Sequence, residues 1–354
     1  MPSRSSLSPH VWVRHETRST ERRAPVVPDD VRRLVASGLR VTVEESPQRV
    51  FDLEEYAEAG ASTAATGSWV DAPEDAWVLG IKELPDEPAE LHHRHIYFAH
   101  SFKGQHEAVD TLTRFEKGRG QLFDIEYLTD DNGRRVVAFG YWAGYVGAAL
   151  GVLELAGALE TPLAPTDQPT LDAAVKATGL DPVDTLTVVT GARGRSGRGA
   201  VDALAVAGLA PMRWDRSESR TRDVSHLLGH DLLVNCVLTT VPTTPFVTRD
   251  DLDRRRRLRV LADVTCDVTS DTNMLPVNTS ITSWESPVRR VTGPEGGWMD
   301  VIAVDNLPSL LPREASITFS ADLTPHLLGL GDHPPVGPWA AAAKAYDDAV
   351  GRLP

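Results

Sequence analysis

The stretch from Thr185 to Leu209 constrains the fold more than any other. The β-branched run Thr185-Leu-Thr-Val-Val-Thr190 leads directly into Gly191-Ala-Arg-Gly194-Arg-Ser-Gly197-Arg-Gly199, and then into the helical Ala200–Leu209. Strand, glycine loop and helix in that order form the arrangement that holds a dinucleotide. The first glycine permits a tight turn, the middle one lets the backbone approach a pyrophosphate, and the helix N-terminus offers N–H groups and partial positive charge. The spacing is G-x-x-G-x-x-G rather than G-x-G-x-x-G, so its context matters more than the motif. Met212-Arg-Trp-Asp215 reads as the next strand, ending in an acid. A carboxylate there accepts hydrogen bonds from both adenosine ribose hydroxyls and repels a 2′-phosphate, which favours NAD over NADP. Arg213, Arg216 and Arg220 nearby leave NADP open, and a structural glycine turn is the competing reading of the loop.

A chain of 354 residues is comfortable for two domains, each with its own core. Before the glycine loop, short apolar runs alternate with helical stretches. Val11–Arg14, Arg40–Glu44, Trp77–Ile81 and Ile96–Ala99 read as strands; Pro28–Ser37 and His106–Phe115 read as helices. Phe139–Leu159 reads as a long buried helix, too interrupted by glycine and Glu154 for a membrane span, with Gly144, Gly147 and Gly151 near one face for close approach. A proline-rich connection carries a short helix at Thr170–Ala177. The second pattern continues with the helix Gly199–Gly208, the strands Leu186–Thr190, Met212–Trp214, Asp231–Val237 and Arg259–Asp263, and a final amphipathic helix, Trp339–Leu353. The expected class is α/β: two Rossmann-like domains with parallel sheets and an active-site cleft between them. The expected division is 1–140 with 338–354 against 141–337, the second domain binding NAD.

A formal net charge of −14 disfavours nucleic acid and anionic membrane as partners. Two cysteines, Cys236 and Cys266, exclude a disulfide framework and suit a reducing cytoplasm. Met1–His10 carries Arg4 but no apolar core, so no signal peptide is expected. The basic run Arg254–Arg257 reads as a solvated face.

In parallel sheets, ligands bind beyond the carboxyl ends of the strands. Lys82 lies just past one predicted strand; His100 and Lys103 lie just past another. A partly desolvated lysine near other cations and a histidine both reach pKa values fit for proton transfer. Taken singly, a lysine after a strand is ordinarily solvated and a histidine ordinarily structural. His92, His93, His95 and His100 raise the question of a metal, but no cysteine is near and the H-E-x-x-H spacing is absent, so none is expected. Arg23 with Glu21, and Arg134-Arg135, are candidate carboxylate clamps, since a guanidinium fork matches a carboxylate.

The order of motifs resembles the NAD-dependent, lysine-forming saccharopine dehydrogenases, relatives of alanine dehydrogenase and the transhydrogenase N-terminal domain. The matching stretches are Arg14-His-Glu-Thr17 with Glu21 and Arg23, Val43-Glu-Glu-Ser-Pro-Gln48, Gly67-Ser-Trp69, Gly80-Ile-Lys-Glu83, Phe98-Ala-His100, Gly133-Arg-Arg135, Ala138-Phe-Gly-Tyr141 with Ala143-Gly144, Trp214-Asp215, and Asp305-Asn-Leu-Pro-Ser-Leu-Leu-Pro-Arg-Glu-Ala-Ser316. They span nearly the whole chain. The resemblance implies Lys82 as general base and His100 as general acid. It implies substrate contacts at Arg23, Gln105, Arg135, Phe139, Thr265, Cys266 and Asp267. Cofactor contacts are implied at Arg134, Gly194, Arg195, Asp215, Ser219 and Val264, and along Val304, Asp305, Asn306 and Leu307, beside Gly191 and Gly197 of the loop. Ser196 departs from the cysteine of fungal members, and Leu238 from an aromatic residue near the cofactor.

The implied activity is the reversible oxidative cleavage of L-saccharopine with NAD to L-lysine and 2-oxoglutarate, by a protein that works as a monomer. The alternatives are another opine-like or alanine-type dehydrogenase, a nucleotide-binding protein without catalysis, for which Lys82 and His100 would be superfluous, and a metal hydrolase.

Overall fold

The computed structural model describes residues 8–102, 106–221, 223–331 and 335–353. The chain divides into two compact units, Met1–Ala138 with Ala315–Pro354, and Phe139–Glu314.

The first unit carries a six-stranded sheet built from β1 (His10–Val13), β2 (Arg40–Glu44), β3 (Ser62–Ala64), β4 (Ala76–Leu79), β5 (Arg94–Tyr97) and β6 (Gln121–Asp124). Their order is β3-β2-β1-β4-β5-β6, and every neighbouring pair is parallel. Strands covered on both faces have no reason to alternate, and Ala76, Trp77, Val78 and Leu79 of β4 are accordingly all buried. The helices between them are α1 (Pro28–Ala36), α2 (Leu53–Glu58) and α3 (His106–Gly118). α1 opens on proline with Asp29 and Asp30 in its first turn, which suits the positive end of a helix, and buries Val31 and Leu34. On one side of the sheet Val78, Leu112, Phe115, Leu122 and Tyr346 form a common core, where each fully buried large side chain contributes ~2 kcal/mol.

The second unit begins with α4 (Gly140–Leu155) and α5 (Gln168–Ala177), followed by β7 (Thr187–Thr190), α6 (Arg195–Val206), β8 (Met212–Trp214), α7 (Arg216–Thr221), β9 (Leu232–Asn235), β10 (Val260–Asp263), β11 (Arg289–Thr292) and β12 (Trp298–Ile302). The sheet order is β11-β12-β10-β9-β7-β8, parallel except for the edge strand β11. α4 is buried nearly all round. It lies against α6 backbone to backbone: a Cβ at Gly144 would stand 1.7 Å from the Ser196 carbonyl oxygen, and one at Gly199 1.9 Å from that of Tyr141. Among the described residues no helix is long and apolar enough to cross a membrane.

The chain returns to the first unit within α8 (Pro312–Leu327) and ends in α9 (Pro338–Val350). The sequence suggested that 338–354 return; the first compact unit resumes at Ala315. Ser316 and Ser320 accept hydrogen bonds from the Ala24 and Val27 N–H groups at 2.8 and 3.0 Å, and the Ser320 hydroxyl donates to Asp30 at 2.5 Å. Ala315, Phe319, Leu323 and Leu327 are buried at four-residue spacing along α8, a stripe that the sequence reading did not pick out among the serines and Pro325. β3, β6, β11, β12 and α2 were also unread. α6 starts at Arg195, inside the glycine loop, rather than at Gly199, and α4 stops at Leu155 rather than Leu159.

Candidate active site

All strands of the first sheet being parallel, their carboxyl ends share one edge. Arg14 follows β1 there and is buried. Its guanidinium donates to the carbonyl oxygens of His15 (2.9 Å), Lys82 and Glu83, and lies 3.5 Å from Glu16. The buried Glu16 carboxylate accepts the Ile81 and Lys82 N–H groups at 2.6 and 3.0 Å. The segment carrying Lys82 is therefore held from both its carbonyl and its amide sides. Burial pushes the Glu16 carboxyl up, partly offset by Arg14. Glu21 and Arg23 form a buried fork, Nε to Oε1 at 2.8 Å and Nη2 to Oε2 at 2.5 Å. Burial pushes the Glu21 carboxyl up, but Arg23 more than reverses this, helped by the charge of Lys82, so it titrates below its ordinary value. A substrate carboxylate would have to share Arg23 with Glu21.

Lys82 follows β4 and His100 follows β5, neighbouring strands whose continuations stay hydrogen-bonded. Gly80 N–H donates to Ile96 at 2.9 Å and Phe98 N–H to Ile81 at 3.0 Å. His100 is a non-glycine residue at φ +52, with its ring stacked on Phe98. Its Nδ1 lies 3.2 Å from Glu126 Oε2, and the other oxygen of Glu126 lies 3.8 Å from Arg135 Nη2. Asp124 at the end of β6 accepts the His100 N–H at 3.1 Å and the Glu126 N–H at 2.9 Å, and burial raises its carboxyl to about 6. Arg134 and Arg135 sit on a turn in which Asp130 accepts the Arg134 N–H at 2.9 Å; Arg134 is exposed. A cavity of about 650 Å³ opens beside His100, lined among others by Arg18, Glu83, Asp110 and Arg114.

In the second unit the carboxyl ends of β7, β8, β9, β10 and β12 likewise share an edge. Gly191 follows β7 at φ +66, where its N–H donates to the Trp214 carbonyl at 2.7 Å. Gly194 precedes the first turn of α6, and no side chain caps that turn. A Cβ at Gly197 would stand 2.1 Å from the Gly191 oxygen, so the loop closes only around glycine. Asp215 follows β8, and Arg193 approaches it through its backbone N–H and Nε, each at 3.4 Å. Beside them lies a cavity of about 520 Å³ whose lining includes Gly191, Gly194, Asp215, Val237, Phe246 and Met274. A helix N-terminus without a side-chain cap, an acid and an apolar slot on one edge fit the pyrophosphate, ribose and adenine of a dinucleotide. Val264 and Leu307 both pack toward Gly147 of α4, where a Cβ would stand 2.7 Å and 3.3 Å from them.

The family described as alanine dehydrogenase/PNT, N-terminal domain, matches residues 12–146. Over nearly its whole length the chain is similar to saccharopine dehydrogenase (NAD(+), L-lysine-forming) of Yarrowia lipolytica, at 39% identity across 362 residues that take in 96% of this chain and 97% of that protein. The protein of the same description from Candida glabrata is 38% identical, covering 96% of this chain and 97% of its own. The chain belongs to the saccharopine dehydrogenase family. A solved L-alanine dehydrogenase has the same fold, with a TM-score of 0.64 over 97% of this chain and 94% of that one, at 17% identity.

Within that family frame, the sequence-predicted residues fall into two sets. Glu21, Arg23, Lys82, His100, Arg134 and Arg135 belong to the first unit; Gly191, Gly194, Arg195, Gly197, Asp215, Ser219, Val264, Thr265, Cys266, Asp267, Val304, Asp305, Asn306 and Leu307 belong to the second, with Phe139 opening it ahead of α4. Gln105 and Lys103 lie outside the described residues. Cys266 adopts φ +51, and a buried polar net stands beneath it. Thr265 Oγ1 donates to Asp263 at 2.8 Å, and Asn235 and Asn278 donate to the same carboxylate at 3.2 and 3.1 Å. The histidines scatter: His93 bonds the Ala72 carbonyl at 2.9 Å, and His95 is buried edge-on to Trp69 and Phe115 with no hydrogen-bond partner. Among the described residues no group of three or more His, Cys, Asp or Glu is placed to hold a metal. Sequence reasoning missed Glu16, Asp124 and Glu126 as site residues. Asp124-Ile-Glu126 is a short acidic stretch at the end of the unread strand β6, and only the pairing of that strand with β5 brings it to His100.

Proposed function

We propose that this chain catalyses the reversible reaction L-saccharopine + NAD+ + H2O → L-lysine + 2-oxoglutarate + NADH + H+. The observation that carries the reading is the placement of Lys82 and His100 at the ends of hydrogen-bonded neighbouring strands, in a chain similar throughout to enzymes of that description. NAD+, when bound, would supply the acceptor for a hydride from the substrate C–H next to nitrogen. Lys82 takes the proton from the secondary ammonium, so that the nitrogen lone pair drives hydride departure and leaves a substrate imine. His100 assists water in adding to the imine carbon and manages the protons as the carbinolamine C–N bond breaks. Arg135, and Arg23 shared with Glu21, hold the substrate carboxylates.

The glycine loop, Asp215 and the segment Val304 to Leu307 hold the dinucleotide, Asp215 on the ribose hydroxyls. Thr265, Cys266 and Asp267 line the substrate. Cys236 and Cys266 are both thiols, which suits action in the cytoplasm, and the protein acts as a monomer on small molecules, without nucleic acid. The test is NADH oxidation with L-lysine plus 2-oxoglutarate, beside pyruvate plus ammonia, and with NADPH in place of NADH. Consumption of NADH with the lysine pair alone is expected. Turnover with pyruvate and ammonia instead would move the substrate to an alanine-type imine.

A further inference from the structure

β6 ends on Asp124, whose fully buried carboxylate takes backbone N–H groups on both of its oxygens, with the Ala99 N–H also close. Oδ2 accepts from His100 at 3.1 Å, and Oδ1 accepts from Glu126 at 2.9 Å. These are the two residues whose side chains meet, His100 Nδ1 to Glu126 Oε2 at 3.2 Å. They come from different strands. Asp124 lies opposite Tyr97, the last residue of β5, in the parallel register. Three residues beyond Tyr97 the chain reaches His100 in the left-handed region, at φ +52. A non-glycine residue stays there only when its surroundings hold it, and the bond from the His100 N–H to Asp124 is such a hold.

The bland alternative is an ordinary cap. Asp124 precedes a short 3-10 turn, Ile125–Tyr127, and its bond to the Glu126 N–H is what such a cap makes. That accounts for Oδ1 alone. It gives no reason for Oδ2 to hold an amide that arrives from the neighbouring strand, in the residue that carries the candidate acid.

We infer that Asp124 is a positioning residue for the reaction: by tying the backbones of His100 and Glu126 to one carboxylate, it sets the geometry of their side-chain pair. With Nδ1–H donating to Glu126, Nε2 is the ring nitrogen that exchanges a proton with the substrate-derived water. Loosening either backbone hold releases the ring to rotate and to change tautomer. The inference rests on the role proposed above for His100.

Asp124→Ser is the informative variant. A serine still caps the turn through the Glu126 N–H, which protects folding, but its single oxygen no longer serves both amides. Asp124→Ser should lower kcat roughly 10- to 100-fold, the scale of a mispositioned acid–base group. KM for L-lysine and 2-oxoglutarate and the Kd for NADH should stay within about twofold. The nitrogen chemical shifts of the His100 ring, read without substrate, should move from one tautomer to a mixture, as in Glu126→Gln. In a Glu126→Gln background the serine change should cost no more than about a further twofold, because both act through one pair. Unchanged kcat, an unmoved His100 ring, or losses that multiply with those of Glu126→Gln would each reduce Asp124 to a structural cap. The ring measurement needs no turnover, so a wild-type protein inactive with lysine and 2-oxoglutarate overturns the proposed function and leaves this inference still open to its own test.

Discussion

The two units hold their chemistry by opposite means. In the first, charges are buried against one another: Arg14 with Glu16, Glu21 with Arg23, and Asp124 with two backbone amides. In the second, backbone and empty space do most of the holding: the turn at Gly191, the first turn of α6, and positions where a side chain has no room. A charge network answers to protonation, and through Glu16 and Asp124 it reaches backbone amides on other strands. A glycine loop is made from consecutive residues and answers to volume. The first site should therefore break through charge and pH, the second through added atoms.

The largest effect is expected at Lys82. Lys82→Met should lower kcat roughly a thousandfold, about 4 kcal/mol of barrier, as expected for loss of a general base. NADH affinity, measured by fluorescence, should be unchanged because the glycine loop and Asp215, proposed to hold the dinucleotide, lie in the other unit. A loss of binding in parallel would erase the contrast. Next comes Glu21→Gln, which leaves Arg23 buried without its carboxylate and should destabilise the protein by ~3 kcal/mol in urea unfolding. The pH dependence has a definite sign. Since Arg23 and Lys82 hold the folded Glu21 below its ordinary value near 4.5, its stabilisation is present above that value and is lost as pH falls through the folded one. Glu21→Gln should remove that part of the acid destabilisation.

Gly197→Val tests the second unit. Its Cβ alone would sit 2.1 Å from the Gly191 oxygen, so the loop must open, and NADH affinity should fall roughly a hundredfold, ~2.7 kcal/mol, the upper range for overpacking. The urea unfolding of the charge network should keep its pH profile. The smallest effect is expected for Asp215→Asn, which retains a ribose acceptor but loses its charge. NADH should bind roughly tenfold more weakly, and its advantage over NADPH should shrink, with Arg193 at hand for a phosphate. An unaltered ratio of the two affinities would remove Asp215 from cofactor choice.

Legibility in the sequence follows the same divide. Gly191 to Gly199 with Asp215 was readable because a strand, a turn and a helix start are local events, each with its own residue chemistry. The α/β class was readable from the alternation of apolar runs with helical spacing. α8 was not read, although Ala315, Phe319, Leu323 and Leu327 recur at the spacing of a buried helix face, since the buried Ser316 and Ser320 and the internal Pro325 stand among them. The shared edge of Lys82 and His100 rested on a rule about strand ends, and the resemblance to a family named both.

What the sequence by itself determined is the α/β class, the glycine loop and the residue types capable of the chemistry. Only the tertiary structure decided that Glu16 clamps the Lys82 segment and that Asp124 and Glu126 stand beside His100. Strand order joins β5 to β6 and β1 to β4, and a buried carboxylate finds its donors wherever that order places them, at separations of 24 to 66 residues along the chain. No local pattern records such pairings, because their free energy comes from burial and from the completed sheet.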